Sequence, residues 1–168
     1  MSNNDRKEIL EDEVLILRDS GEIPEIAYHA TLYYLTEDEE GPGLDPLSDE
    51  ELALLQEAAL FRYQQIVLRD LDPDNRDLGI YRGIRRTIYN WQRMQDFCKR
   101  LGRDCSFFKQ TVAQALLNFL ARELDDVINK GQTSAVNCSA EQIVAFANVL
   151  GLSPDSLPTG WQNLVTTP

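Results

Sequence analysis

The stretch YRGIRRTIYNWQRMQDFCKRLG, residues 81–102, carries two patterns at once. Ile84, Ile88, Trp91, Met94, Cys98 and Leu101 recur at three- and four-residue intervals, which places them on one face of an α-helix. Gly102 is the residue at which such a helix can turn left-handed and stop. On the other side Arg86, Arg93 and Arg100 repeat every seven residues, with Arg82 one turn before Arg86, so a cationic ridge should lie roughly opposite Trp91 and Met94. Helical spacing recurs almost throughout the chain and strand-like alternation almost nowhere, so the expected class is all-α.

Working back toward the N-terminus, Asp70 to Asp77 is turn chemistry around Asp72-Pro73-Asp74-Asn75. Before it Ser48 and Glu51 form a capping box that should open a long third helix. Leu52, Leu55, Ala59, Tyr63 and Ile66 trace one apolar stripe of that helix, and Leu54, Ala58, Phe61 and Leu68 trace another. With most of its circumference apolar, it is expected to be central. The run Glu37-Asp38-Glu39-Glu40-Gly41-Pro42-Gly43 combines like charges with helix breakers and reads as an exposed loop. Ile9, Leu10, Val14 and Leu17 mark a first helix closed by Gly21, and Ile23, Ile26, Ala27, Ala30 and Tyr34 mark a short second one.

Toward the C-terminus, Ser106 should cap a fifth helix with Val112, Leu116, Phe119, Leu120, Leu124 and Val127 inward, ending at Gly131. Ser139 with Gln142 should cap a sixth, stopped by Gly151, and Ser153-Pro154 a short turn before Trp161. The expected organisation is one helical-bundle-like domain over residues 1–168 with about six helices. An acidic loop at 36–47 would separate a helical hairpin at 5–35 from a helical core at 48–157. No internal repeat recurs at the roughly 34-residue period of helical arrays.

Charge is segregated along this order. Tyr81 to Lys109 holds eight of the sixteen basic residues and two acidic ones, a local balance of +6. Residues 1–80 carry −15 and residues 110–168 carry −3, for the net −12. So acidic a chain is repelled at long range by nucleic acid, which disfavours that partner. Apolar runs such as Ala58 to Phe61 fall far short of the ~20 residues a membrane-spanning helix needs. The acidic N-terminus lacks the features of a secretory signal, so a cytoplasmic location is expected. Cys98, Cys105 and Cys138 are odd in number and lack zinc-type spacing, which points to reduced thiols, Cys98 acting as a small hydrophobe.

Motifs for catalysis are missing. There is no Gly-x-Gly-x-x-Gly, Walker loop, His-Glu-x-x-His or Gly-x-Ser-x-Gly, and no cofactor is expected. Asp70, Asp72 and Asp74 have the one-three-five spacing of a calcium loop, but position six is Asn75 and position twelve Tyr81, so no metal site is expected. His29, the single histidine, has Glu25 one turn back but no nucleophile one turn on, and reads as a partly buried structural residue.

Residues 139–157, from Ser139 through Gly151 to Leu157, resemble the closing helix of phage-repressor-type helix-turn-helix domains. That family places two short helices around a glycine-containing turn upstream, where this chain has an unbroken helical pattern from Lys109 to Lys130.

The candidate binding residues are therefore Arg82, Arg85, Arg86, Tyr89, Arg93 and Arg100. The role that fits is non-catalytic: a cytoplasmic interaction or regulatory protein whose acidic and arginine-rich helical surfaces recognise a protein partner or a second copy. One alternative is nucleic-acid binding through the basic-aromatic helix 81–103. Another is a small enzyme or anionic-ligand receptor centred on Arg82, Arg85, Tyr89 and His29. The ridge has a purely structural use as well, since it could face the acidic groups at Glu37 to Glu40 and Asp49 to Glu51.

Overall fold

The computed structural model describes residues 2–19, 48–72, 83–134, 136 and 138–165, with the backbone alone at Asn3, 14–19 and Gly83. Five α-helices and no strand occur among these residues: α1 (Asn3–Asp19), α2 (Asp49–Arg69), α3 (Gly83–Arg100), α4 (Lys109–Lys130) and α5 (Ala140–Val149). The class is all-α, as the periodicity predicts. The expected short second helix, His29 and the acidic run Glu37 to Glu40 lie outside the described residues, which accounts for five helices against about six.

Helix ends follow local chemistry. At α2 the Glu51 amide donates to Ser48 Oγ at 3.2 Å while Glu51 Oε1 accepts from that hydroxyl at 3.0 Å. At α5 Ser139 and Gln142 exchange the two bonds of a capping box at 2.9 and 3.2 Å. A third box, unread in the sequence, opens α1: the Ser2 amide donates to Asp5 Oδ2 and the Asp5 amide to Ser2 Oγ, each at 3.1 Å. The Ser2 hydroxyl and then the Ser2 amide, both acting on the Asp5 carboxyl, hold it below the usual range. Gly102 ends α3 at φ 66°, with the Gly102 amide on the Lys99 carbonyl and the Arg103 amide on the Cys98 carbonyl, a Schellman closure.

Ser106 departs from expectation. It begins a 3₁₀ turn (Ser106–Phe108), and α4 starts at Lys109 with no side-chain cap. The 3₁₀ turn leads directly into the helix, so its own backbone already occupies the entry that a capping serine would fill. α4 then runs unbroken to Lys130, so the turn of a repressor-type helix-turn-helix is missing at the place the resemblance requires it.

The chain divides into two compact units, residues 1–65 with 93–104 and residues 66–92 with 105–168. In the first, Leu10, Leu52, Leu55, Ala59, Tyr63 and Phe97 are buried, and the Tyr63 and Phe97 rings lie 5.6 Å apart with a 40° tilt. Each large apolar side chain so covered contributes roughly 1.5–3 kcal/mol. α2 is not covered all round, however. Leu54 and Phe61 stay 66% and 55% exposed, because at 100° per residue both fall about half a turn from Leu52. In the second unit Trp91 packs against Phe108 and Phe146, with ring centroids 6.4 and 6.3 Å away. The 3₁₀ turn Trp161–Leu164 lies on α4. Val112, Leu116, Phe119, Leu120 and Leu124 point inward as predicted, and Val127 is only half-buried.

Reduced thiols at all three cysteines are not what the structure shows. Cys98 and Cys105 are disulfide-bonded, while Cys138 is a buried free thiol. An odd count requires one leftover thiol and nothing more. Burial pushes the Cys138 thiol up to about 11, with the Arg85 charge pulling the other way.

Candidate functional site

The ridge of α3 divides into two environments. In its C-terminal half the cations meet the chain's own polar groups. Arg93 Nη2 donates to the Tyr63 hydroxyl at 3.2 Å, and the guanidinium carbon lies 5.5 Å from that ring's centroid. Tyr63 in turn donates to Glu13 Oε2 at 2.7 Å. Glu13 is 6% exposed and Tyr63 fully buried, while Arg93 is half-buried, so α1, α2 and α3 are joined by an acid–phenol–cation chain whose acid and phenol are buried. Burial and the Glu13 hydrogen bond together push the Tyr63 phenol well above its ordinary value. One turn further on, Arg100 Nη2 pairs with Asp12 Oδ2 at 2.8 Å, and just past the helix Arg103 pairs with Glu57.

Among the described residues the acidic groups so engaged are Asp12, Glu13 and Glu57; of the expected partners, Glu37 to Glu40 lie outside the described residues and Glu51 is bonded to Ser48 in the cap of α2. Glu13 could have been found from sequence. It stands at i+3 from Leu10 inside the first apolar stripe, where a carboxylate needs a partner. Glu123 follows the same logic on α4: it lies at i+3 from Leu120 and is 3% exposed.

The N-terminal half of the ridge is arranged differently. Arg85 is exposed, and Arg86 sets its guanidinium 4.9 Å above the centre of the Tyr89 ring. Tyr89 is 47% exposed. Among the described residues neither Arg85 nor Arg86 has an acidic partner within salt-bridge distance. Arg82 lies outside the described residues, as do His29 and Asp74. Asp70, from the same aspartate run, is fully buried with Oδ1 3.8 Å from Arg69 Nε. Of the six candidates, Arg86 and Tyr89 therefore make one local cation–aromatic pair, Arg85 is exposed one residue before it, and Arg93 and Arg100 are engaged within the chain.

A family described as a repeat of unknown function, DUF7826, matches residues 5–152. The chain belongs to that family. The DUF7826 region takes in nearly all of α1 and the whole of α2 to α5, so both halves of the ridge and their acidic counterparts lie within it. No curated protein and no solved structure matches this DUF7826 chain. Among its described residues no helix is long and apolar enough to cross a membrane.

Proposed function

We propose that this chain is a non-catalytic interaction protein that recognises a protein partner or a second copy of itself through segregated acidic and arginine-rich helical surfaces. One observation carries the reading. Arg93, Arg100 and Arg103 are occupied by the chain's own phenol and carboxylates, while exposed Arg85 and the Arg86 that lies over exposed Tyr89 have no acidic partner among the described residues. The recognition surface is accordingly the first half of α3. Arginine and tyrosine together are the side chains that anchor protein interfaces.

The disulfide of Cys98 and Cys105 weighs against a strongly reducing compartment, and free-thiol counting on protein quenched inside cells decides that point. Nucleic-acid binding remains the second reading, on the strength of Arg86 over Tyr89. Its weakness is that the engaged arginines shorten the track available to phosphates.

Charge reversal tests the main reading. A tagged Arg85→Glu/Arg86→Glu chain should lose, in cells, the partners that the wild type retains, and an Arg122→Glu control should keep them. Identical partner sets for all three chains would refute it. Binding of single-stranded RNA that weakens from 50 to 200 mM salt would favour the second reading, the loss being roughly 7-fold if Arg85 and Arg86 each hold one phosphate of a single strand.

A further inference from the structure

The exposed face of α2 is built on the same scale as the cationic end of α3. Leu54 and Phe61 are two helical turns apart on one face, 66% and 55% exposed, with exposed Glu50, Ala53 and Glu57 around them. Arg85 to Gln92 likewise spans about two turns, roughly 10 Å at 1.5 Å per residue, and contains exposed Arg85, Tyr89 and Gln92 with no acidic residue. One face is apolar with a carboxylate fringe. The other is aromatic with a guanidinium fringe.

We infer that a second copy of this chain is the occupant of the Leu54–Phe61 face, and that it docks there through its own Arg85, Arg86 and Tyr89. The inference deepens the proposed function and rests on it. Tyr89 and the arginine stems would cover Leu54 and Phe61, removing exposed apolar area from water, and the guanidiniums would reach Glu50, with Glu57 shared between them and its own partner Arg103. One feature favours a copy over an unrelated protein. The chain itself carries both members of a charge-complementary pair of matched length. The contact is heterologous: each copy offers one face and receives on the other.

A complementation experiment tests it. Light scattering on the wild type should show a mass that rises with concentration to twice 19.1 kDa or more. Leu54→Gln/Phe61→Gln and Arg85→Glu/Arg86→Glu should each stay at the monomer mass, because each destroys one face. Mixed in equal amounts, they should form a dimer that grows no further, since one intact face of each kind remains. All substituted positions are on helices and at least partly exposed, so helical circular dichroism should be unchanged. If it is not, Phe61→Ala and Arg85→Ala carry the same comparison. A wild type that stays monomeric at every concentration, a variant that associates like the wild type, or a mixture that remains monomeric each overturns the inference. A monomeric wild type whose cellular partners still depend on Arg85 and Arg86 would sink this docking alone and leave the proposed function standing.

Discussion

Tyr63 donates its phenolic proton to Glu13 across fifty residues of sequence, at 2.7 Å and away from solvent. The same oxygen accepts from Arg93, so one hydroxyl balances a buried carboxylate against a guanidinium. Tyr63→Phe leaves the ring packing intact and strips Glu13 of its donor. The expected loss is about 1–3 kcal/mol of unfolding free energy, read from the urea midpoint. An unchanged midpoint would mean the network is not formed in solution.

Alkaline pH probes the same group. The phenol is raised in the fold above the value of 10.0 it has in the unfolded chain. Unfolded Tyr63 therefore loses its proton first, and its contribution, complete below pH 10, declines as pH rises from there toward the folded value. Denaturant midpoints measured between about pH 8 and 11 should fall more steeply for the wild type than for Tyr63→Phe.

Arg93 and Arg100 should separate in magnitude although seven residues apart on one helix. Arg100 and Asp12 have side chains 41% and 53% exposed, so Arg100→Ala should cost at most about 1 kcal/mol and lose that effect at high salt. Arg93→Ala removes the cation from a partly buried network and should cost more, about 1.5–3 kcal/mol, with little salt dependence. Equal costs and equal salt slopes would refute the division of the ridge.

The two faces of α2 differ in the same way. Leu52→Ala should cost about 2–5 kcal/mol, since Leu52 is fully buried. Leu54→Gln, two positions on, should stay within about 0.5 kcal/mol. Chemical unfolding of the two variants side by side gives the comparison.

Thiol chemistry checks the cysteines. A chromogenic thiol reagent at pH 8 should find no reactive group in the folded, unreduced protein, because Cys138 is buried and its thiol raised to about 11. Unfolding without reductant should release one thiol, and reduction should release three. Three thiols before reduction would contradict the disulfide.

The helices, their caps and their buried faces were legible because they rest on relations within about four residues. Ser48 with Glu51, Ser139 with Gln142, Gly102 past α3 and the stripe from Leu52 to Ile66 all obey local geometry, and the charge segregation needs only counting. The destination of each arginine was not legible. Arg93, Arg100 and Arg103 look the same in sequence as Arg85 and Arg86, yet they meet Tyr63, Asp12 and Glu57 from 30 to 88 positions away. Which second face of α2 stayed exposed was hidden for the same reason, since helical periodicity says which side chains share a face but not which faces find a neighbour. Only the packing of α1, α2 and α3 brings those partners within hydrogen-bond reach, and a charge is spent or left available by what lies across from it.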